Sequence, residues 1–324
     1  GLVFNKTYSR QKIYAQAKLT KVEFDHFDQL DYDGKDVQAR WNWQLGNRFE
    51  GVLGANYEQT LAPYTDFRSN ERNLRKHRRQ YFDGAWRLHP SWRVRTAASH
   101  DKYEYELLAQ RFNNRTEDAV EVGADYLPRS GSTVGLVARK IKGKYQNRRI
   151  FGDQSLDESF DQDEIKARIN WIASGSTTVQ VLAGHAKRKY KARSERDASG
   201  FNGRITATHQ PRGKMRYTAA AWREFSAVES NVISYSLNRG ASVGATWDAT
   251  AKIRVDASAS YEKRAYNARV LLNAAQDLDD SLKQAQLSAT WSPRRTVAVT
   301  AALARQERSG STLLGLGRFK ANTV

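Results

Sequence analysis

The chain has 324 residues and a formal net charge of +18, from 53 Lys plus Arg against 35 Asp plus Glu, with no Cys and one Met. Mean hydropathy is −0.74, and no run reaches the roughly eighteen apolar residues of a membrane-spanning helix, so helical insertion is excluded, as are a zinc ribbon and a disulfide scaffold. A transmembrane β-barrel stays open, because each of its strands shows lipid only every second residue.

In chain order, Gly1 to Asn5 reads as the tail of a strand and Lys6 to Arg10 as a polar turn. An alternating run follows, with Ile13, Ala15, Ala17 and Leu19 on one face. An acidic loop from Asp25 to Asp36 leads into Val37, Ala39, Trp41, Trp43 and Leu45, opposed by Gln38, Arg40, Asn42 and Gln44. A turn at Gly46-Asn47 returns the chain through Phe49 to Tyr57, and a long polar excursion carries RNLRKHRR, Arg72 to Arg79. The clearest hairpin is Phe82 to Ala98. Phe82, Gly84, Trp86 and Leu88 share a face on its first arm, and Trp92, Val94, Thr96 and Ala98 share one after the turn at His89-Pro90-Ser91. Its opposite face holds Arg87, Arg93 and Arg95, the period of two that a strand imposes.

The unit recurs with a period of about forty residues. Val120 to Tyr126 turns at Pro128-Arg129-Ser130-Gly131 into a return through Thr133 to Tyr145, a run whose two faces the pattern does not assign. After a long loop to about Gln162, Ile165 to Trp171 turns at Ser174-Gly175-Ser176 into Val179 to Ala183. Phe201 to Ala207 turns at Pro211-Arg212-Gly213 into Met215 to Ala221. Ala241 to Trp247 turns at Asp248-Ala249-Thr250 into Ile253 to Tyr261, and Ala285 to Trp291 turns at Pro293-Arg294-Arg295 into Val297 to Leu303. Residues from about Leu316 to Val324 begin one more strand.

Short and long connections alternate along the chain. Outer-membrane barrels have short periplasmic turns and longer outer loops, whereas sandwiches and propellers have no reason to sort loop length by strand parity. Trp41, Trp43, Trp86, Trp92, Trp171, Trp247 and Trp291 all lie near short turns, as the indoles of an interfacial girdle do. The competing reading is a large soluble β protein with a repeated core Trp. The expected fold is an all-β, antiparallel up-and-down transmembrane barrel of about 16–18 strands. Residues 1–324 form a single barrel domain, expected to be part of a longer barrel truncated at both ends, in the outer membrane of a Gram-negative bacterium.

Strand parity turns Arg40, Arg87, Arg93, Arg95, Lys166, Arg168, Arg204, Arg216, Arg254 and Lys283 into the lumen, where they form the candidate substrate-binding set. Glu50, Asp83, Glu121, Asp125 and Asp256 share that face. In a water-filled lumen each charge acts over about 8 Å, so a cationic wall attracts anions. For any one arginine the competing reading is an ordinary solvated inner face of paired charges. Arg72 to Arg79 suits either a pore constriction or the phosphates of lipopolysaccharide at the rim, and Lys187 to Arg196 suits the latter. A pI near 10.0 suggests nucleic acid, but the cations are spread over many strands and form no recognised module, so no nucleic-acid partner is expected. Asp31 to Asp36 departs from calcium-loop spacing and reads as an acidic turn. The six His are dispersed, no catalytic motif appears, and no cofactor or enzymatic activity is expected.

Several stretches resemble the EpsL-type outer-membrane proteins of exosortase-linked exopolysaccharide operons. They are ARWNWQL (Ala39 to Leu45), ERNLR (Glu71 to Arg75), SGSTVGLVAR (Ser130 to Arg139), FDQDEIKARINW (Phe160 to Trp171), PRGKMRYTAAAWRE (Pro211 to Glu224), SLKQAQLSATWSPRRTVAVTAALARQER (Ser281 to Arg308) and RFKANTV at the end. The resemblance implies a barrel that moves extracellular polysaccharide across the outer membrane, with periplasmic export components as partners. A scaffold or receptor barrel and a general anion-selective porin are the alternatives.

Overall fold

The computed structural model describes residues 1–62, 69–151, 154–192, 194, 197–227, 235–266, 278–294, 297–310 and 318–324. Its strands in chain order are β1 (Leu2–Tyr8), β2 (Gln11–Val22), β3 (Tyr32–Leu45), β4 (Phe49–Leu61), β5 (Leu74–His89), β6 (Trp92–Tyr105), β7 (Arg115–Tyr126), β8 (Thr133–Tyr145), β9 (Arg149–Phe151), β10 (Gln154–Leu156), β11 (Phe160–Ser174), β12 (Thr177–Tyr190), β13 (Ala198–His209), β14 (Met215–Ala227), β15 (Tyr235–Trp247), β16 (Ile253–Tyr266), β17 (Leu278–Arg294), β18 (Val297–Ser309) and β19 (Phe319–Thr323). Seventeen of these form one sheet, and β9 and β10 form a separate two-stranded hairpin. The chain divides into two compact units, one of residues 1–128, 135–166 and 185–200, the other of 129–134, 167–184 and 201–324.

Residues directly opposite one another in an antiparallel pair share a face, so the register carries each face from strand to strand. In the first unit Ile13 opposes Trp41, Trp41 opposes Leu53, Leu53 opposes Phe82, Phe82 opposes Ala98 and Ala98 opposes Val120. In the second, Tyr217 opposes Ala245, Ala245 opposes Ala257, Ala257 opposes Leu287 and Leu287 opposes Leu303. Each unit therefore has one continuous apolar face. That face is the exposed one: Trp86, Trp92, Val120 and Val243 are 45%, 49%, 58% and 60% accessible. Most buried side chains of the strands lie on the other face and many are polar, among them Asp125, Gln162, Glu164, Asp280 and Arg308. Water would penalise an apolar surface of this extent, whereas lipid rewards the inversion.

Short turns join β1 to β2, with Ser9 at φ 52°, and β3 to β4, with Gly46 at φ 58°; left-handed backbone at Gly46 costs nothing in Cβ contacts. The first of these turns is shorter than the predicted Lys6 to Arg10, because β1 stays paired with β2 as far as Tyr8. The acidic stretch is also shorter as a loop. β3 begins at Tyr32, which sends Asp33 and Asp36 to opposite faces, while Asp31 Oδ1 accepts a hydrogen bond from the Phe24 N–H at 2.8 Å. The Arg72 to Arg79 stretch is not a free loop: Leu74 to Arg79 belongs to β5 and pairs with both β4 and β6. The turn residue Arg295, the Leu316 start of the last strand, and Arg193 and Arg196 of the second basic segment lie outside the described residues.

Candidate functional site

The polar face of the first unit holds a cavity of about 580 Å3 near the short turns, lined by Lys12, Arg40, Asn42, Glu50, Arg93 and Arg95, among others. It forms because β2, β3, β4, β5 and β6 each turn alternate residues to this side near their turns. Arg93 bridges two carboxylates, Asp125 at 2.8 Å and Glu50 at 3.5 Å, and Arg95 pairs with Asp83 at 2.7 Å. Arg40 lies 5.8 Å from the Tyr14 ring centroid and, among the described residues, has no carboxylate at ion-pair distance. Arg87 is likewise without one, and it opposes Arg93 across the hairpin. Like charges opposed in this way repel, and the Glu50 and Asp125 carboxylates on Arg93 offset the repulsion.

In the second unit, a cavity of about 520 Å3 is lined on the polar face by Thr218, Ser242, Ser258, Ser260, Gln284 and Gln286. The register explains the grouping, since Thr218 opposes Gly244, Gly244 opposes Ser258 and Ser258 opposes Gln286. Hydroxyls and carboxamides both donate and accept hydrogen bonds without fixing a charge. None of the ten predicted cations lines this cavity. Strand parity alone places Ser242, Ser260, Gln284, Gln286 and Gln306 on this face beside Thr218 and Ser258, but uncharged residues of this kind carry no distinguishing signal in the sequence.

The remaining predicted cations are dispersed. Lys166 is buried and paired with Glu164 at 2.8 Å, on the buried side of β11 together with Gln162. Arg168 has the same parity and is half-buried. Arg204 pairs with Glu224 at 2.7 Å and sits 4.6 Å from the Trp222 ring centroid. At the short turns, Arg254 pairs with Asp248 at 2.8 Å and Arg216 donates to Gln210 at 3.3 Å. Lys283 lies on the opposite face from the other cations placed by register: it opposes Tyr261 on β16 and Glu307 on β18. Its odd number sets it in line with Ala285, Leu287 and Trp291, so its placement among the lumen residues is corrected.

Away from the short turns, the polar face closes into packed networks that the sequence did not single out. In the first unit Arg188 donates to Gln162 at 2.7 Å, Gln162 donates to Glu164 at 2.5 Å, and Arg188 lies 4.0 Å from the Phe160 ring centroid. His77 contacts Asp101 at 2.8 Å and stacks on Tyr103, with Arg115 4.0 Å from the other ring's centroid. In the second unit Arg308 Nε donates to Asp280 at 2.6 Å and its Nη2 to the Tyr266 hydroxyl at 2.9 Å, while that hydroxyl donates to Asp280 at 2.8 Å. Glu262 accepts from Trp222 Nε1 at 2.8 Å and from Arg264 at 2.8 Å. Trp222 is the indole that did not fit the predicted girdle, and its even number in β14 puts it on the polar face, where its N–H has this partner. In the connection ahead of β11, partial burial would raise the Asp157 pKa, but hydrogen bonds from Ser159 hold it below the usual carboxylate range.

Compared with solved structures, the chain is similar to the copper transporter OprC, with a TM-score of 0.52 and 9% identity over 96% of this chain and 59% of that one. The ferric enterobactin receptor PfeA in complex with BCV-L6 gives 0.49 and 10% over 94% and 54%. The alcaligin outer-membrane receptor FauA from Bordetella pertussis gives 0.47 and 11% over 94% and 57%. The chain thus spans less than two thirds of the length of each. No family model and no curated protein matches it. At this identity the likeness is one of fold, the antiparallel up-and-down transmembrane β-barrel. In that fold the apolar face meets lipid and the polar face lines the interior.

Proposed function

We propose that the chain forms the wall of an outer-membrane transport barrel in a Gram-negative bacterium, through which an extracellular polysaccharide passes. The observation that carries this reading is the hydroxyl and carboxamide cavity around Ser242, Ser258, Ser260, Gln284 and Gln286, taken with the cationic cavity around Lys12, Arg40, Arg93 and Arg95. Carboxamides and hydroxyls exchange hydrogen bonds with sugar and water at similar cost, and unpaired cations such as Arg40 attract acidic sugars without a single tight site. Weak contacts at many points suit a moving polymer, because conduction requires entry and exit to be comparably easy. The similar OprC is named as a copper transporter, in keeping with a transport role. The resemblance to EpsL-type proteins supports the polysaccharide and points to periplasmic export components as the partners that deliver it.

A second reading, a barrel closed by its own inner wall that serves as a scaffold or receptor, draws on the buried Arg308–Asp280–Tyr266 network. Ion selectivity and polymer block in planar bilayers separate the two. For the export barrel, the expected result is an anion-selective conductance that falls when acidic polysaccharide is added on the short-turn side. Arg40→Glu/Arg87→Glu is expected to lower both the selectivity and the block by several fold. A barrel shown to be inserted but silent favours the scaffold. Anion conductance indifferent to long polymer favours a general porin.

A further inference from the structure

On the apolar face of the second unit, a row of cations crosses the hydrophobic band near its end, with Phe225, Leu237 and Ala265 opposed at the next positions of that face. Arg223 on β14 lies directly opposite Arg239 on β15, and Arg239 directly opposite Lys263 on β16. Directly opposed residues hold their Cβ atoms about 5 Å apart, and like charges so placed destabilise a sheet. Lys263 pairs with Asp279 at 2.6 Å and Arg223 donates to the Phe201 carbonyl, but among the described residues no carboxylate pairs with Arg223 or Arg239. The row therefore lacks much of the negative charge that would offset its repulsion.

Its position identifies what supplies that charge. Along β15 the same face runs Trp247, Ala245, Val243, Ala241 and then Arg239. At about 3.4 Å per residue that is roughly 27 Å of strand, or about 20 Å across the membrane once tilted near 40°. The apolar band of such barrels is about 25 Å tall, so the cations stand just inside its margin, on the side away from the short turns, within reach of the headgroups for side chains as long as Arg and Lys. Short turns are periplasmic in this architecture, which puts the row at the outer leaflet, where the headgroups of a Gram-negative bacterium are phosphorylated lipopolysaccharide. Below the row, Ala221 opposes Ala241 and Val243 opposes Ala259, leaving a wall of low relief against which acyl chains can lie.

The first unit repeats the arrangement with more compensation. Arg78 opposes Lys102, and Glu104 serves both, at 3.4 and 2.9 Å. Strand parity also divides the Arg72 to Arg79 segment. Lys76 and Arg78 share the lipid face with Phe82, while Arg75, His77 and Arg79 share the inner face with Tyr81.

We propose that Arg223, Arg239 and Lys263 bind the phosphorylated headgroup of outer-leaflet lipopolysaccharide, a site that rests on the outer-membrane reading. The test uses the refolded full chain, the variant Arg223→Gln/Arg239→Gln/Lys263→Gln, and Arg212→Gln/Lys252→Gln as a control at the short turns. Binding of purified lipopolysaccharide and of its enzymatically dephosphorylated form is measured by fluorescence titration in detergent. Insertion into phosphatidylcholine vesicles is scored separately by heat-modifiable gel mobility. The expected result is at least a tenfold loss of lipopolysaccharide affinity in the triple variant, normal insertion, unchanged binding by the control, and weak binding of the dephosphorylated form by every chain. Equal affinity of wild type and triple variant overturns the site while leaving the barrel reading intact. Failure of the wild type to insert overturns both.

Discussion

Arg308, Asp280 and Tyr266 show how a charge is kept inside this wall. All three are buried, at 1%, 3% and 6% exposure, and the Asp280 carboxylate accepts from both neighbours. Removing one member of such a pair leaves an uncompensated buried charge, at a cost of about 3–5 kcal/mol. Arg308→Met is therefore expected to lower the urea midpoint for unfolding from lipid vesicles. Arg308→Met/Asp280→Asn is expected to recover a large part of the loss; equal midpoints for the single variant and wild type would show that the network does not hold the wall. Neither residue was picked out from the sequence, because polar residues flank both and no period distinguishes a buried Asp from a solvated one. Trp222 was legible only as an exception to the girdle, and its Glu262 partner, 40 residues away, shows in the register alone.

At the scale of the strand pair, legibility followed contrast. Where one face was apolar and the other polar, as in Phe82 to Ala98 or Val37 to Leu45, the period of two located the strands and their turns. Past the margin of the apolar band both faces become polar and the period loses its signal, although the backbone stays paired. The beginning of β5 at Leu74–Arg79 and that of β3 at Tyr32 therefore carry no strand signal in the sequence. Contacts between glycine and aromatic rings were also invisible. Gly54 on β4 opposes Tyr81 on β5, and a Cβ at Gly54 would come within 2.3 Å of the Tyr81 ring. The ring covers backbone that would otherwise be bare. Gly54→Val is expected to displace Tyr81 and cost about 1–3 kcal/mol, the usual penalty of overpacking, read as a lower unfolding midpoint in the same vesicle assay. Gly54→Val/Tyr81→Ala is expected to relieve part of that loss, and no relief would mean that the ring is not the obstacle.

For the molecule as a whole, the approximate strand count and the antiparallel order are readable in the sequence, because they follow from hydrophobic period and turn spacing; the sorting of faces is readable in most strands but not in Thr133 to Tyr145 or at Lys283. The candidate site was readable only in outline. Arg40, Arg93 and Arg95, which parity sets on one face, line one cavity, but parity does not tell paired from unpaired cations. Nor does it single out the uncharged lining of the other cavity, since Ser and Gln are common on any solvated strand. What the account asks of the whole chain is that the face of Ser258 meets water and the face of Ala257 meets lipid. The absence of cysteine makes this directly measurable with Ser258→Cys and Ala257→Cys, adjacent residues opposed to Gln286 and Leu287 respectively. Single-channel current is recorded in planar bilayers before and after a bulky, water-soluble thiol reagent. Stepwise loss of current in Ser258→Cys and none in Ala257→Cys is the expected result. An inserted chain that carries no current, or one in which only Ala257→Cys responds, contradicts the account.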